Sequence, residues 1–123
     1  MTEIKFRIWH PQGGMSNPFT IDDVIDAACC KHYPKYPRQE YVTMQYTGLK
    51  DKHGVEIYEG DILKHEIGDG IKDSIWRVFW FPEFARFYLV CDATANHVGA
   101  TRSRCADMEI IGNIYENPEL VDK

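Results

Sequence analysis

The chain has 123 residues, 44% of them hydrophobic and 13% aromatic, with a formal net charge of −5 and an isoelectric point near 5.5. That length suits one domain burying roughly 65% of its unfolded surface, and the aromatic content excludes wholesale disorder and favours strands with large cross-strand contacts over a helical bundle. The acidic balance argues against a surface drawn as a whole to phosphate backbones or anionic lipid, and no apolar run approaches membrane length.

At the start, Met1-Thr2-Glu3-Ile4-Lys5 runs straight into an alternating strand over residues 3–9, without the charged-then-apolar pattern of a secretion leader. The expected location is therefore the cytoplasm. Thr20 reads as a helix N-cap with Asp23 three positions on, and Ile21, Val24, Ile25 and Ala28 follow the i, i+3, i+4, i+7 spacing that gathers apolar side chains on one face. This predicts one short helix over residues 21–31, with Asp22 and Asp23 near its positive end. Three turns do not stand alone in water, so the stripe must pack on a sheet or on another chain. Pro34 and Pro37 end the helix and make a rigid connector, because each disfavours helix in the residue before it.

The middle of the chain is its clearest stretch. Asp51-Lys52-His53-Gly54 is a tight reversal, since Asp bonds back to the backbone and Gly takes a positive φ. Tyr41, Val42, Met44 and Tyr46 form the strand before it; Val55 and Ile57 should share one face after it, opposite Glu56 and Tyr58. Gly60-Asp61 punctuates again, a strand over residues 62–67 follows, and Gly68-Asp69-Gly70 is a loop.

Further on, residues 75–81 alternate, with Trp76, Val78 and Trp80 on one side and Ile75, Arg77, Phe79 and Phe81 on the other. Two apolar faces imply a strand covered on both sides, or one face in the core and one against a partner subunit. Pro82-Glu83 turns into a hairpin partner that sets Arg86, Tyr88 and Val90 opposite Phe87, Leu89 and Cys91. Residues 92–105 lose all apolar period and read as a surface loop carrying Arg102 and Arg104. A last strand begins at Met108, with Gly112-Asn113 permitting a bulge, and Asn117-Pro118 stops it.

The chemistry offered by these residues is thin. Cys29, Cys30, Cys91 and Cys105 read as reduced thiols, small buried hydrophobes rather than a disulfide framework. Zinc held by Cys29, Cys30 and His32 with Cys91, His97 and Cys105 conflicts with spacing, because adjacent cysteines diverge and cannot both reach one ion. His53, Glu56, Glu59 and Asp61 crowd the central hairpin, but turns are rich in such residues. There is no strained nucleophile elbow, no GxGxxG or GKS loop and no HExxH pair, so neither an enzyme nor a cofactor is expected. Trp76, Trp80, Phe84 and Tyr88, with Lys50 and Lys52, form the expected interaction surface. Such a row is more often plain core than a platform for bases.

The run over residues 44–62, together with the opening Glu3-Ile4-Lys5-Phe6-Arg7-Ile8-Trp9 and the closing stretch over residues 109–120, resembles the YopX family of phage and prophage proteins. The three segments stand in family order across nearly the whole chain. The resemblance implies a mostly β, self-associating protein without an established activity, and brings no catalytic or binding residues.

The expected fold is all-β: an N-terminal strand and one short helix followed by an antiparallel meander of about six strands closing into a small SH3-like barrel. One domain is expected over residues 1–123, with the strand, helix and connector in 1–40, the meander in 41–118 and a tail in 119–123. The functional expectation is a non-catalytic accessory protein of a phage or prophage. It would bind an unknown phage or host protein, or copies of itself, in the host cytoplasm and without membrane attachment. The alternative is a nucleic-acid-binding barrel using Lys50, Lys52, Lys64 and Arg77 around the aromatic face.

Overall fold

The computed structural model describes residues 4–20, 42–66 and 73–121, so the expected helix over 21–31, the proline connector, Cys29 and Cys30 lie outside the described residues. The chain forms two compact units, Met1–Tyr46 and Thr47–Lys123. All the strand pairs described are antiparallel, and the chain is mainly β as expected.

In the first unit, β1 (Lys5–His10) is central. One edge takes β2 (Gly14–Met15) and β3 (Phe19–Thr20), and the other takes the beginning of β4 (Val42–Lys50), with Phe6 opposite Gln45 and Trp9 opposite Val42. Ser16 joins the two short strands by exchanging bonds with Ile8: its Oγ accepts the Ile8 N–H at 2.8 Å and its own N–H reaches the Ile8 carbonyl at 2.8 Å. Thr20 pairs with Lys5, and the Phe19 and Phe6 rings lie 6.2 Å apart across the same ladder. His10 is buried, and its Nδ1 accepts the N–H groups of Gln12 and Gly13 at 3.0 and 3.2 Å, closing the β1–β2 turn.

In the second unit, β5 (Glu56–Tyr58) returns alongside β4, and β6 (Asp61–His65), β7 (Ser74–Phe81), β8 (Arg86–Cys91) and β9 (Asn96–Gly99) form a meander. A short helix, α1 (Arg102–Ala106), then leads to β10 (Met108–Asn113), which pairs with β6 to give the order β10-β6-β7-β8-β9. Ile57, Leu63, Val78, Leu89, Cys105 and Met108 make the buried centre, each large aliphatic side chain contributing about 1.5–3 kcal/mol by leaving water.

Two expectations are corrected. Residues 92–105 are not one surface loop: they hold the Asp92–Ala95 turn, β9 and α1, so Arg102 and Arg104 stand on a helix. Thr101 caps that helix by accepting the Arg104 N–H at 3.2 Å, and its single buried residue, Cys105, is too few to show a period. Val55 lies in the turn and is 52% exposed, while Ile57 and Tyr58 are both buried. At the bulge, by contrast, the β10–β6 register shifts between Ile110 and Gly112 as expected. Gly112 is required there, because a Cβ would run into the Asn117 side-chain amide.

Candidate interaction surface

Cross-strand pairing decides which aromatic side chains share a face. Val78 lies opposite Leu89 and Trp80 opposite Phe87, so Trp76, Val78 and Trp80 join the buried side of the sheet. Trp76 packs against the core and donates its indole N–H to Ser74 at 2.8 Å, whereas Trp80, at the strand end, meets Phe87 edge-on at 5.0 Å. Tyr88 lies opposite Phe79 on the reverse side. There it stacks on Phe81 at 4.6 Å and touches Phe84 and His97 at 5.5 and 5.7 Å, while Phe81 also stacks on Phe84 at 6.5 Å.

The four aromatic residues singled out from the sequence are therefore divided: Trp76 and Trp80 on the core side, Phe84 and Tyr88 on the outer side. Phe79, Phe81 and His97 complete the outer cluster and were not singled out. The alternation already placed Phe79 and Phe81 beside each other, but the link to Phe84 comes from the hairpin loop, which has no period. Phe84 is 59% exposed, Phe79 43% and Trp80 38%. Together with Glu59 and Glu83 they line an open groove of about 680 Å³ at the hairpin tip.

The loop itself spans residues 82–85, with the Phe84 N–H on the Phe81 carbonyl at 3.1 Å and Ala85 in the left-handed region at φ 50°. Burial, and then the nearby charge of Glu59, raise the Tyr115 phenol above its ordinary value.

The expected cations do not gather around this face. Arg77 is held by Asp92 at 2.9 and 3.2 Å while its guanidinium lies 5.3 Å over the Phe79 ring. Lys64 pairs with Glu66 at 3.3 Å and Asp73 at 3.8 Å, and the Glu66 hydrogen bond raises its pKa. Lys52 is 3.9 Å from Glu109, and Lys50 is exposed at the end of β4. Exposed pairs of this kind are worth little each, but they neutralise the charge a phosphate backbone would need.

The central hairpin is occupied by structural bonds. Asp51 is buried, its Oδ1 accepting the N–H groups of His53 and Val55 at 2.9 Å each and its Oδ2 that of Ile110 at 3.1 Å. Burial alone would raise this carboxyl; the three backbone donors and the charge of His53 outweigh it and hold the pKa below the ordinary value. Thr47 donates to the Ile57 carbonyl at 2.8 Å, and Asp61 accepts the Tyr58 N–H at 2.8 Å. His53 turns toward Glu109 at 3.6 Å, away from any shared centre with Asp61. Among the described residues no group of three or more His, Cys, Asp or Glu is placed to hold a metal ion. Cys91 and Cys105 are buried free thiols, and burial pushes the Cys105 thiol up to about 11 despite Arg104 beside it. No helix among the described residues is long and apolar enough to cross a membrane.

A family model described as YopX protein matches residues 5–122. The chain belongs to the YopX family. The crystal structure of protein EF1440 from Enterococcus faecalis is similar in fold, with a TM-score of 0.66 and 23% identity over 99% of this chain and 100% of that one. The comparison with curated proteins returns no match. The stretch that carries the YopX resemblance most strongly, residues 44–62, is thus the one whose Thr47, Asp51 and Asp61 side chains bond to the protein's own backbone, and its Gly48, Gly54 and Gly60 all adopt positive φ.

Proposed function

We propose that this YopX-family chain is a small non-catalytic accessory protein of a phage or prophage that works in the host cytoplasm by binding another protein, and that copies of it associate. The binding surface is the outer aromatic face of β7 and β8 with the hairpin tip, on a body that forms a small SH3-like barrel. One observation carries this: Phe79 and Phe84 leave 43% and 59% of their surface in water beside rings already stacked on one another, and Trp80 at the strand end leaves 38%. Large rings exposed together are characteristic of protein interfaces, where they supply most of the apolar contact.

Affinity capture of the tagged protein from prophage-induced cells tests this, run with and without nuclease and alongside Phe84→Ser. A defined protein that survives nuclease and is lost with Phe84→Ser is the expected result. A partner lost on nuclease treatment would overturn it in favour of nucleic acid. Sedimentation of the purified protein as a monomer at micromolar concentration would remove the self-association.

A further inference from the structure

We infer that the groove at the β7–β8 hairpin tip receives a cationic side chain, an arginine or lysine of the partner protein. This rests on the protein-binding reading above and names the chemistry of the partner. Its lining combines two kinds of residue: the aromatic Phe79, Trp80, Phe81 and Phe84, and the acidic Glu59 and Glu83. No lysine or arginine lines it. It is an open groove of about 680 Å³, with room for one side chain of a partner.

Each alternative occupant meets a physical objection. A purely apolar side chain would strip water from two carboxylates without pairing them. A nucleic-acid strand would bring phosphates against the same two carboxylates, with Arg77 already bound to Asp92. A second copy presenting this groove would set carboxylates against carboxylates. A guanidinium or ammonium group satisfies both halves of the wall, pairing with the carboxylates while its flat or rounded cation rests on a ring face. Rings of this sheet already do this within the molecule, since Arg77 lies 5.3 Å over Phe79 and Arg86 lies 5.5 Å over Tyr88. Arg77 is held by Asp92, and the Arg86 guanidinium lies beside Gly99.

The test titrates the full chain with the acetylated hexapeptide Ser-Gly-Arg-Arg-Gly-Ser and with the same peptide carrying citrulline in place of arginine, which keeps the shape and removes the charge. Binding is read from nuclear magnetic resonance shifts at ~150 mM salt, where long-range attraction is screened. The arginine peptide should move the Trp80 indole and the Phe84 amide and bind at least roughly tenfold more tightly than the citrulline peptide. Glu83→Gln, at an exposed turn position, should remove most of that difference while shifts remote from the hairpin stay in place. Equal affinity for the two peptides, shifts that map away from the groove, or no shift at millimolar peptide would each overturn the inference. None of these touches the broader reading, which fails separately if the captured partner disappears with nuclease.

Discussion

Two reversals in the second unit have opposite designs. At Asp51–Gly54 a buried carboxylate takes three backbone N–H groups, so polar atoms point inward and hold the chain. At residues 82–85 the backbone is closed by two turn bonds of 3.1 and 3.3 Å, and the side chains it carries, Phe84 above all, point into water. The first turn lies within the 44–62 stretch, one of the three that resemble the YopX family, and serves the fold. The second has no motif, and it carries the surface on which we propose that a partner acts. In this molecule legibility in sequence and availability for function belong to different places.

The sharpest contrast is in stability. Asp51→Ala leaves three donors without an acceptor and should lower unfolding free energy in urea by about 3–5 kcal/mol, whereas Phe84→Ser should stay within about 0.5 kcal/mol. Equal losses at the two sites would erase the distinction between them.

A smaller effect concerns pH. The folded pKa of Asp51 is depressed, so its stabilisation is fully present above the unfolded value of about 3.9 and is lost as pH falls through the lower folded value. The stability gap between the wild type and Asp51→Asn should therefore be full at neutral pH and shrink below about pH 4. A gap that stays constant in acid would show that the carboxylate charge is not what holds the turn.

The smallest expected effect is at the other reversal. Ala85 sits at φ 50°, and Ala85→Gly should raise stability by roughly 0.5–1 kcal/mol, because relief of the left-handed strain exceeds the added freedom of the unfolded chain. A loss of stability would mean that the hairpin tip is held by more than its backbone turn.

Much of this was readable along the chain. Alternation assigned the correct faces to Trp76, Val78 and Trp80 and to Phe87, Leu89 and Cys91, and the Asp51 turn announced itself through Asp and Gly. Less was readable where elements are short. β9 has four residues and α1 five, so neither completes enough periods to stand out, and the Thr101 cap was the one local signal that the segment was not a loop. The interaction surface was half legible. Its residues were in view, but Trp76 and Trp80 were grouped with Tyr88 although a strand sends them to opposite sides.

From the sequence alone came what depends on neighbours a few residues apart: strand character, the positions of the reversals, the bulge near Gly112 and the YopX resemblance. Tertiary structure decided what depends on residues far apart in the chain. Asp51 finds its third donor at Ile110, 59 positions away, and the β7–β8 hairpin gathers Phe79, Phe81, Phe84 and Tyr88 with His97 of β9. Backbone dihedral preferences act between neighbours and leave a local trace. Which side of a sheet is covered, and which carboxylate meets which amide, is set by pairing across space, and no short stretch of sequence contains that information.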